Sequence, residues 1–289
     1  MLRIAAQLIP GWVRRLSAAD ALQRQTVPFS DRFPWSPVRI AACLLLLVFP
    51  PLVYADCDQI KDGLSKTFNR PGGETSGMPS FIECKMWPED PTRYIVAIAS
   101  FQDHSALASP ENNEADFYDL TVLLLKNTSD QVVARLVQKR AFSSDAIQLT
   151  GIAIDSAPYK LAPGQRAFGV RARFANNSSF NSWEHEQLNL YLAQGTELRQ
   201  ILGSLLTAQK LYEKVDECQE ALTDRSRHLI VAPHSTLGKA DLILKEKVLI
   251  DKSSIQKGQC VSKRNVVSKS TTLRFDGQNY LVPEDFAFP

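Results

Sequence analysis

The chain has 289 residues, 44% of them hydrophobic, with 33 basic and 31 acidic side chains. Residues 1–55 hold six Arg, no Lys, two Asp and no Glu, so positions 56–289 carry 27 basic and 29 acidic groups and a formal charge of −2. This balance excludes binding to nucleic acid through bulk positive charge, and a chain running from 56 to 289 is long enough to bury a full core as one large or two small domains.

The stretch IAACLLLLVFPPLVYADC (residues 40–57) sets the frame for the rest. Ten uninterrupted apolar residues, 40–49, end at Pro50-Pro51. A membrane span needs about 20 apolar residues, so ten suit the apolar region of a signal peptide. Arg39 supplies the preceding positive charge, and Val53 and Ala55 are small residues at −3 and −1 of the bond before Asp56. Residues 38–55 therefore read as a signal peptide cleaved at Ala55-Asp56, and the expected setting is the periplasm or the exterior. The mature chain then has no integral membrane span. A buried core helix is the alternative reading, and Asp56 before the cysteine argues against a lipoprotein. Residues 1–37 make the signal longer than usual. A start at Val38 would give a compact one, so 1–37 reads as an extension from a misplaced start, the alternative being a long basic leader.

Removal of the leader takes Cys43 with it and leaves Cys57, Cys84, Cys218 and Cys260. An even count in an exported chain implies two disulfides, for which three connectivities exist. Cys57–Cys84 and Cys218–Cys260 are favoured, closing loops of about 28 and 43 residues, each contributing about 3.5–4 kcal/mol in the loop-entropy model. A four-cysteine metal site is the rival, but no C-x-x-C pair is present.

In chain order, residues 56–93 read as a disulfide-tied loop region, with a short helix allowed near its start and a Pro-rich turn at 84–91. A β-rich domain follows over 94–283. YIVAIASF (94–101) is a buried strand by its β-branched, apolar run. FYDLTVLLLK (117–126), the turn Asn127-Thr128-Ser129-Asp130 and QVVARLVQKR (131–140) form a hairpin. IQLTGIAID (147–155) and RAFGVRARF (166–174) are further strands, the second with a basic outer face. ANNSSFNS (175–182) is a flexible polar loop. QLNLYLA (187–193) and ELRQILGSLL (197–206) form a second hairpin that echoes the first, and KADLILKEKVLI (239–250) looks like half of a third copy. Residues 196–215 also hold Leu198, Ile201, Leu202, Leu205 and Leu206 at helical spacing, so a helix competes there. Residues 227–233 are a short strand expected to pair with 261–268. Thr271 to Phe275 and Tyr280 to Pro283 form a terminal hairpin around Asp276-Gly277. Residues 284–289 are a loose tail. The fold class is all-β: antiparallel meander and hairpin units forming a β-sandwich or a small β-propeller-like domain, with two disulfides.

The sequence holds no nucleophile elbow and no phosphate loop. His185 lies in Trp183-Glu184-His185-Glu186-Gln187, but position 189 is Asn, so the HExxH zinc motif is missing. His104, His228 and His234 are scattered, and Asp116, Asp119, Asp130, Asp145 and Asp155 lack calcium-loop spacing. No metal ligand set and no cofactor are indicated. The best binding candidates are Trp183 and Phe180, aromatics in a polar loop, with His185 beside them; the plain alternative has Trp183 folded onto the core. Arg166, Arg171 and Arg173 form a basic stripe that either meets an anionic group or is a solvated face.

The residues Cys84-Lys85-Met86-Trp87-Pro88, the stretch TGIAIDSAPYKLAPGQRAFGVR (150–171) and the terminal LRFDGQNYLVP resemble a family of uncharacterised exported bacterial β-rich proteins with no established activity. The resemblance implies an exported, β-rich chain and carries over no functional residue. The leading expectation is a non-catalytic binding or interaction protein whose partner is an envelope protein or glycan. The alternative is a hydrolase acting on cell-envelope polysaccharide or peptide, with carboxylates brought together only by the fold.

Overall fold

Among the described residues, eleven strands are laid down in two antiparallel meanders that share a single sheet. In the computed structural model the described residues are 57–68, 79–102, 116–127 and 131–288, and all belong to one compact unit. The leader and its extension, the loop at 103–115, with His104 in it, and most of the turn at 127–130 lie outside them. A helix, α1 (Cys57–Phe68), precedes β1 (Pro79–Met86), β2 (Arg93–Gln102), β3 (Asp116–Lys126) and β4 (Val132–Ser144). The second meander contains β5 (Gln148–Ala162), β6 (Gln165–Ala175), β7 (Asn181–Gln194), β8 (Glu197–Lys214), β9 (Glu220–Thr236), β10 (Lys239–Gln256) and β11 (Gln259–Leu273).

The strand order is β1-β2-β3-β4-β8-β7-β6-β5, with β9, β10 and β11 continuing from the far half of β8. The meanders join at one parallel pair, Arg135 with Glu197, so the sheet is mixed and does not close. The all-β expectation, the antiparallel hairpins and both disulfides hold. Cys57–Cys84 ties α1 to β1, and Cys218–Cys260 ties the β8–β9 turn to the start of β11. Two bridges of this kind fit an oxidising compartment. No helix among the described residues is long and apolar enough to cross a membrane.

The central strands are covered on both faces. On β6, Phe168, Val170, Ala172 and Phe174 pack with Ile95, Leu120, Leu124 and Phe142 of the first meander. On the other face Leu188, Leu190 and Leu192 of β7 pack with Leu242, Leu244, Leu273 and Phe286. Every residue from Ile95 to Ala99 is at most 2% exposed, which explains why β2 reads as a continuous apolar run.

The helical spacing in β8 has a different cause. Along β7, Glu186 pairs with Ala208, Gln187 with Leu206, Leu190 with Leu202 and Tyr191 with Gln200, so β8 carries extra residues at three irregularities. Each extra residue reverses the inward and outward phase of a strand. Leu198, Ile201, Leu202, Leu205 and Leu206 therefore all become buried from an extended chain. Asn189 holds the middle irregularity: its Oδ1 accepts the Ser204 N–H at 2.7 Å and Gln200 Nε2 at 3.0 Å, and Ser204 takes φ 52°.

Three features differ from expectation. Residues 79–86, inside the stretch read as a loop region, form β1 and pair antiparallel with β2. The stretch at 261–268 pairs with β10, not with β9, because β10 lies between them. The tail at 284–288 is docked, not loose. Along β8 neither β4 nor β9 pairs with residues 198–207, and the C-terminal segment fills that gap. Tyr280 N–H donates to Ile201 O, Leu205 bridges Ala287, and Phe288 N–H donates to Ser204 O at 2.8 Å. Phe286 is buried at 4% exposure. Open backbone groups beside a buried strand need partners, and the tail supplies them.

Candidate functional site

The sequence candidates fall on opposite faces of the β6–β7 ladder. Phe174 pairs with His185 and Arg173 with Glu186, and alternate residues of a strand face opposite ways. Trp183 and His185 share one face of β7 with Gln187, while Arg171 and Arg173 share the other with Glu186.

On the aromatic face, His185 is 4% exposed and lies against two rings, Phe174 and Phe288, which also stack on each other at 5.3 Å. Phe174 stacks on it at 4.8 Å between centroids and Phe288 of the docked tail at 4.4 Å, with Trp183 at 5.9 Å. Burial pushes its imidazole down to about 4, so the ring is neutral at pH 7 and offers one donor and one acceptor. Neither ring nitrogen has a hydrogen-bond partner among the described residues, and the same holds for Trp183 Nε1 and Gln187 Oε1. Buried polar groups are nearly always paired, so three such residues in alternating positions on one strand are unusual.

The loop that carries Phe180 is fastened, not flexible. Asn176 donates its N–H to Trp183 O at 3.0 Å, accepts the Trp183 N–H on Oδ1 at 2.8 Å, and donates through Nδ2 to Asn181 O at 2.8 Å. Lys214 N–H donates to Phe180 O. The Phe180 ring nevertheless stands 62% exposed. A hydrogen-bonded backbone thus presents an apolar ring to solvent just before β7.

On the opposite face, Arg171 is enclosed by carboxylates. Its Nη2 lies 2.6 Å from Asp155 Oδ2 and its Nη1 lies 2.6 Å from Glu186 Oε1 and 3.2 Å from Thr207 Oγ1. Tyr159 donates its hydroxyl to Asp155 Oδ2 at 2.9 Å, and Arg173 Nε reaches Glu186 Oε2 at 3.3 Å. Burial alone would raise the Asp155 carboxyl, but the Ala157 N–H and the Arg171 guanidinium outweigh it and hold the group below its usual range. Burial alone would lower Arg171, and its bonds to Asp155 and Glu186 raise it instead. Arg166 does not join this stripe: alternation along β6 puts it on the other face, where it donates to Glu89 Oε2 at 2.7 Å and Ser156 O at 2.8 Å. These arginines fasten strands to one another, and their charge is largely met from within.

Among the described residues no group of three or more His, Cys, Asp or Glu side chains could hold a metal ion. Sequence reasoning missed Gln187 and Phe288, and it missed the carboxylates that face Arg171. Gln187 was legible in principle as the next residue on the Trp183–His185 face. Phe288, far along the chain, carried no local signal. The chain matches no protein-family model, and comparison with curated proteins and with solved structures likewise returns no match.

Proposed function

We propose that the protein is an exported, non-catalytic binding module, and that its contact surface is centred on Phe180 and Trp183 with His185 and Gln187 beneath. The observations that carry this reading are the exposed Phe180 on a hydrogen-bonded loop, three residues before Trp183 in the chain, and the buried, unpartnered polar atoms of Trp183, His185 and Gln187 on one face of β7. An apolar ring beside neutral donors and acceptors suits a ligand with one apolar face and a rim of hydroxyls, which is the chemistry of a cell-envelope glycan. Export into the periplasm or beyond, through cleavage at Ala55-Asp56, is supported by the ordered charge, apolar run and small-residue site, and by the disulfides downstream. The hydrolase alternative is less well supported. Glycoside chemistry needs one carboxyl kept protonated, and Asp155, beside Glu186 the other carboxylate on Arg171, is held ionised by it.

Isothermal titration of the mature protein with soluble oligosaccharides released from the cell envelope tests the reading. Saturable binding that is lost in Phe180→Ala and weakened in Trp183→Leu is expected. Binding unchanged by both substitutions, or turnover of the oligosaccharide, would overturn it.

A further inference from the structure

We propose that the solvent face of the β9–β10–β11 ribbon carries an oxyanion site for the phosphate group of a ligand, separate from the aromatic surface. Pairing along β10 sets two rows of side chains side by side. His228, Lys245 and Ser270 are in register across the three strands, and so are Ser226, Lys247 and Ser268. Alternation puts all six on one face, with the rows about 7 Å apart, two residues along a strand. His228, Lys245, Lys247, Ser268 and Ser270, together with Glu246 and Lys269 between them, line a shallow, open depression of about 460 Å³.

Among the described residues, no ion pair meets the charge on this face. Neither Lys245 nor Lys247 makes an ion pair among the described residues, whereas Lys61, Lys139 and Arg264 all have carboxylate partners within 3 Å. Glu246 lies between the two lysines in sequence but points to the opposite face. There it is 6% exposed and bonded to Arg227 at 2.7 Å, with Lys269 at 3.3 Å. The nearest carboxylate on the site's own face, Asp224, lies one row beyond Ser226 and is paired across strands with Lys210. Two ammonium groups, three hydroxyls and an imidazole therefore share one face, and no carboxylate side chain stands in these two rows. Ammonium and hydroxyl donors are what a phosphate accepts from, at charge-assisted strength.

A second cleft of about 490 Å³, where the β5–β6 and β9–β10 turns meet Glu89, lacks this property. Its cations are already engaged, Arg166 with Glu89 at 2.7 Å and Lys160 with the same oxygen at 4.0 Å.

The test uses the mature protein and two probes. Pyrophosphate is titrated by calorimetry, and sedimentation is measured with vesicles of phosphatidylcholine and phosphatidylglycerol mixed two to one, against pure phosphatidylcholine vesicles. Saturable binding to pyrophosphate assigns the site to soluble phosphate esters; binding to the anionic vesicles alone assigns it to a lipid headgroup. In either case Lys245→Gln/Lys247→Gln is expected to weaken binding about tenfold or more, the scale of one lost charge-assisted hydrogen bond. All the substituted residues are exposed, so an unchanged thermal midpoint checks the fold. Lys252→Gln/Lys263→Gln removes the same charge from the opposite face of the ribbon. Equal loss in this control would mean attraction by net charge only and would overturn the site, as would no binding to either probe.

Discussion

At the scale of single residues, His185 makes the clearest statement about pH. Its folded value of about 4 lies below the ~6.5 of an unfolded chain, so the unfolded state takes up the proton first as the pH falls. The contribution of the neutral ring to stability is complete above pH ~6.5 and is lost progressively as the pH falls towards 4. At about 1.4 kcal/mol per unit, the loss over that window is on the order of 3 kcal/mol. Asp155, whose carboxyl is also depressed, acts in a lower window: its contribution is present above the ordinary carboxylate range and disappears as the pH falls through the folded value. His185→Phe keeps a ring against Phe174 and Phe288 and removes the titrating group. Urea unfolding at pH 7 and pH 5 should show a large difference in stability for the wild-type chain and a much smaller one for this variant. An equal pH dependence in both would refute the assignment. Gly169 is the residue where space decides. A Cβ there would lie 2.6 Å from Leu188 Cδ1, 3.1 Å from Asp155 Cβ and 3.3 Å from Leu190 Cδ2. Both leucines are fully buried and cannot give way, so Gly169→Ala should destabilise by about 1–3 kcal/mol, measured by thermal unfolding.

At the scale of elements, the docked tail is both a structural filler and a cover. It completes the hydrogen bonding of β8 between the positions taken by β4 and β9, and it places Phe288 on the imidazole of His185. Phe288→Ala should let water reach the ring, so the His185 value should rise from about 4 towards the ~6.5 of a solvated imidazole. Nuclear magnetic resonance titration of the imidazole Cε1–H signal measures this directly. A value that stays near 4 would mean that Phe174 and Trp183 alone keep the ring dry. The tail also marks the limit of what the chain discloses locally. The hairpin of β3 and β4 was legible because apolar alternation and an Asn/Asp turn are local features. The tail was not, because its partners on β8, Ile201 to Leu205, lie far upstream and its few apolar residues have no period. The spacing in β8 misled for a related reason. Three irregularities opposite Glu186 to Tyr191 reset the phase of the strand, and the resulting pattern of leucines coincides with a helical face. Similarly, Arg171 read as an outward basic residue because Asp155, Glu186 and Thr207 reach it only through strand pairing.

At the scale of the whole molecule, the two disulfides guard regions of very different stability. Both apolar clusters lie around the central strands, and the far end of the β9–β11 ribbon has no share in them. From Cys260 to Ser270 every residue of β11 is exposed, as are Ile255 at 57% and Val266 at 50%. A three-stranded ribbon that buries so little should open well below the free energy of global unfolding. Cys218–Cys260 closes that end, joining the β8–β9 turn to the start of β11. The chain-entropy model assigns a bridge of this span about 4 kcal/mol, but only when the loop it closes unfolds together with the rest. If the ribbon opens first, most of that stabilisation acts on local opening, and little of it on the core. Cys57–Cys84 acts on a different element. It holds α1, a helix of 12 residues, against β1, where Ile60 is 7% exposed and Lys61 pairs with Glu83 at 2.9 Å. A helix that short is marginal in isolation, so it depends on this attachment. Amide hydrogen exchange separates the two effects. In Cys218→Ser/Cys260→Ser, exchange should accelerate across 220–226 and 249–266 while the amides of β2, β3 and β6 keep their protection and the thermal midpoint moves by only a few degrees. In Cys57→Ser/Cys84→Ser the acceleration should instead be confined to α1 and β1. Uniform acceleration in the first variant would show that the ribbon and the core unfold as one cooperative unit, and that the bridge stabilises the whole fold.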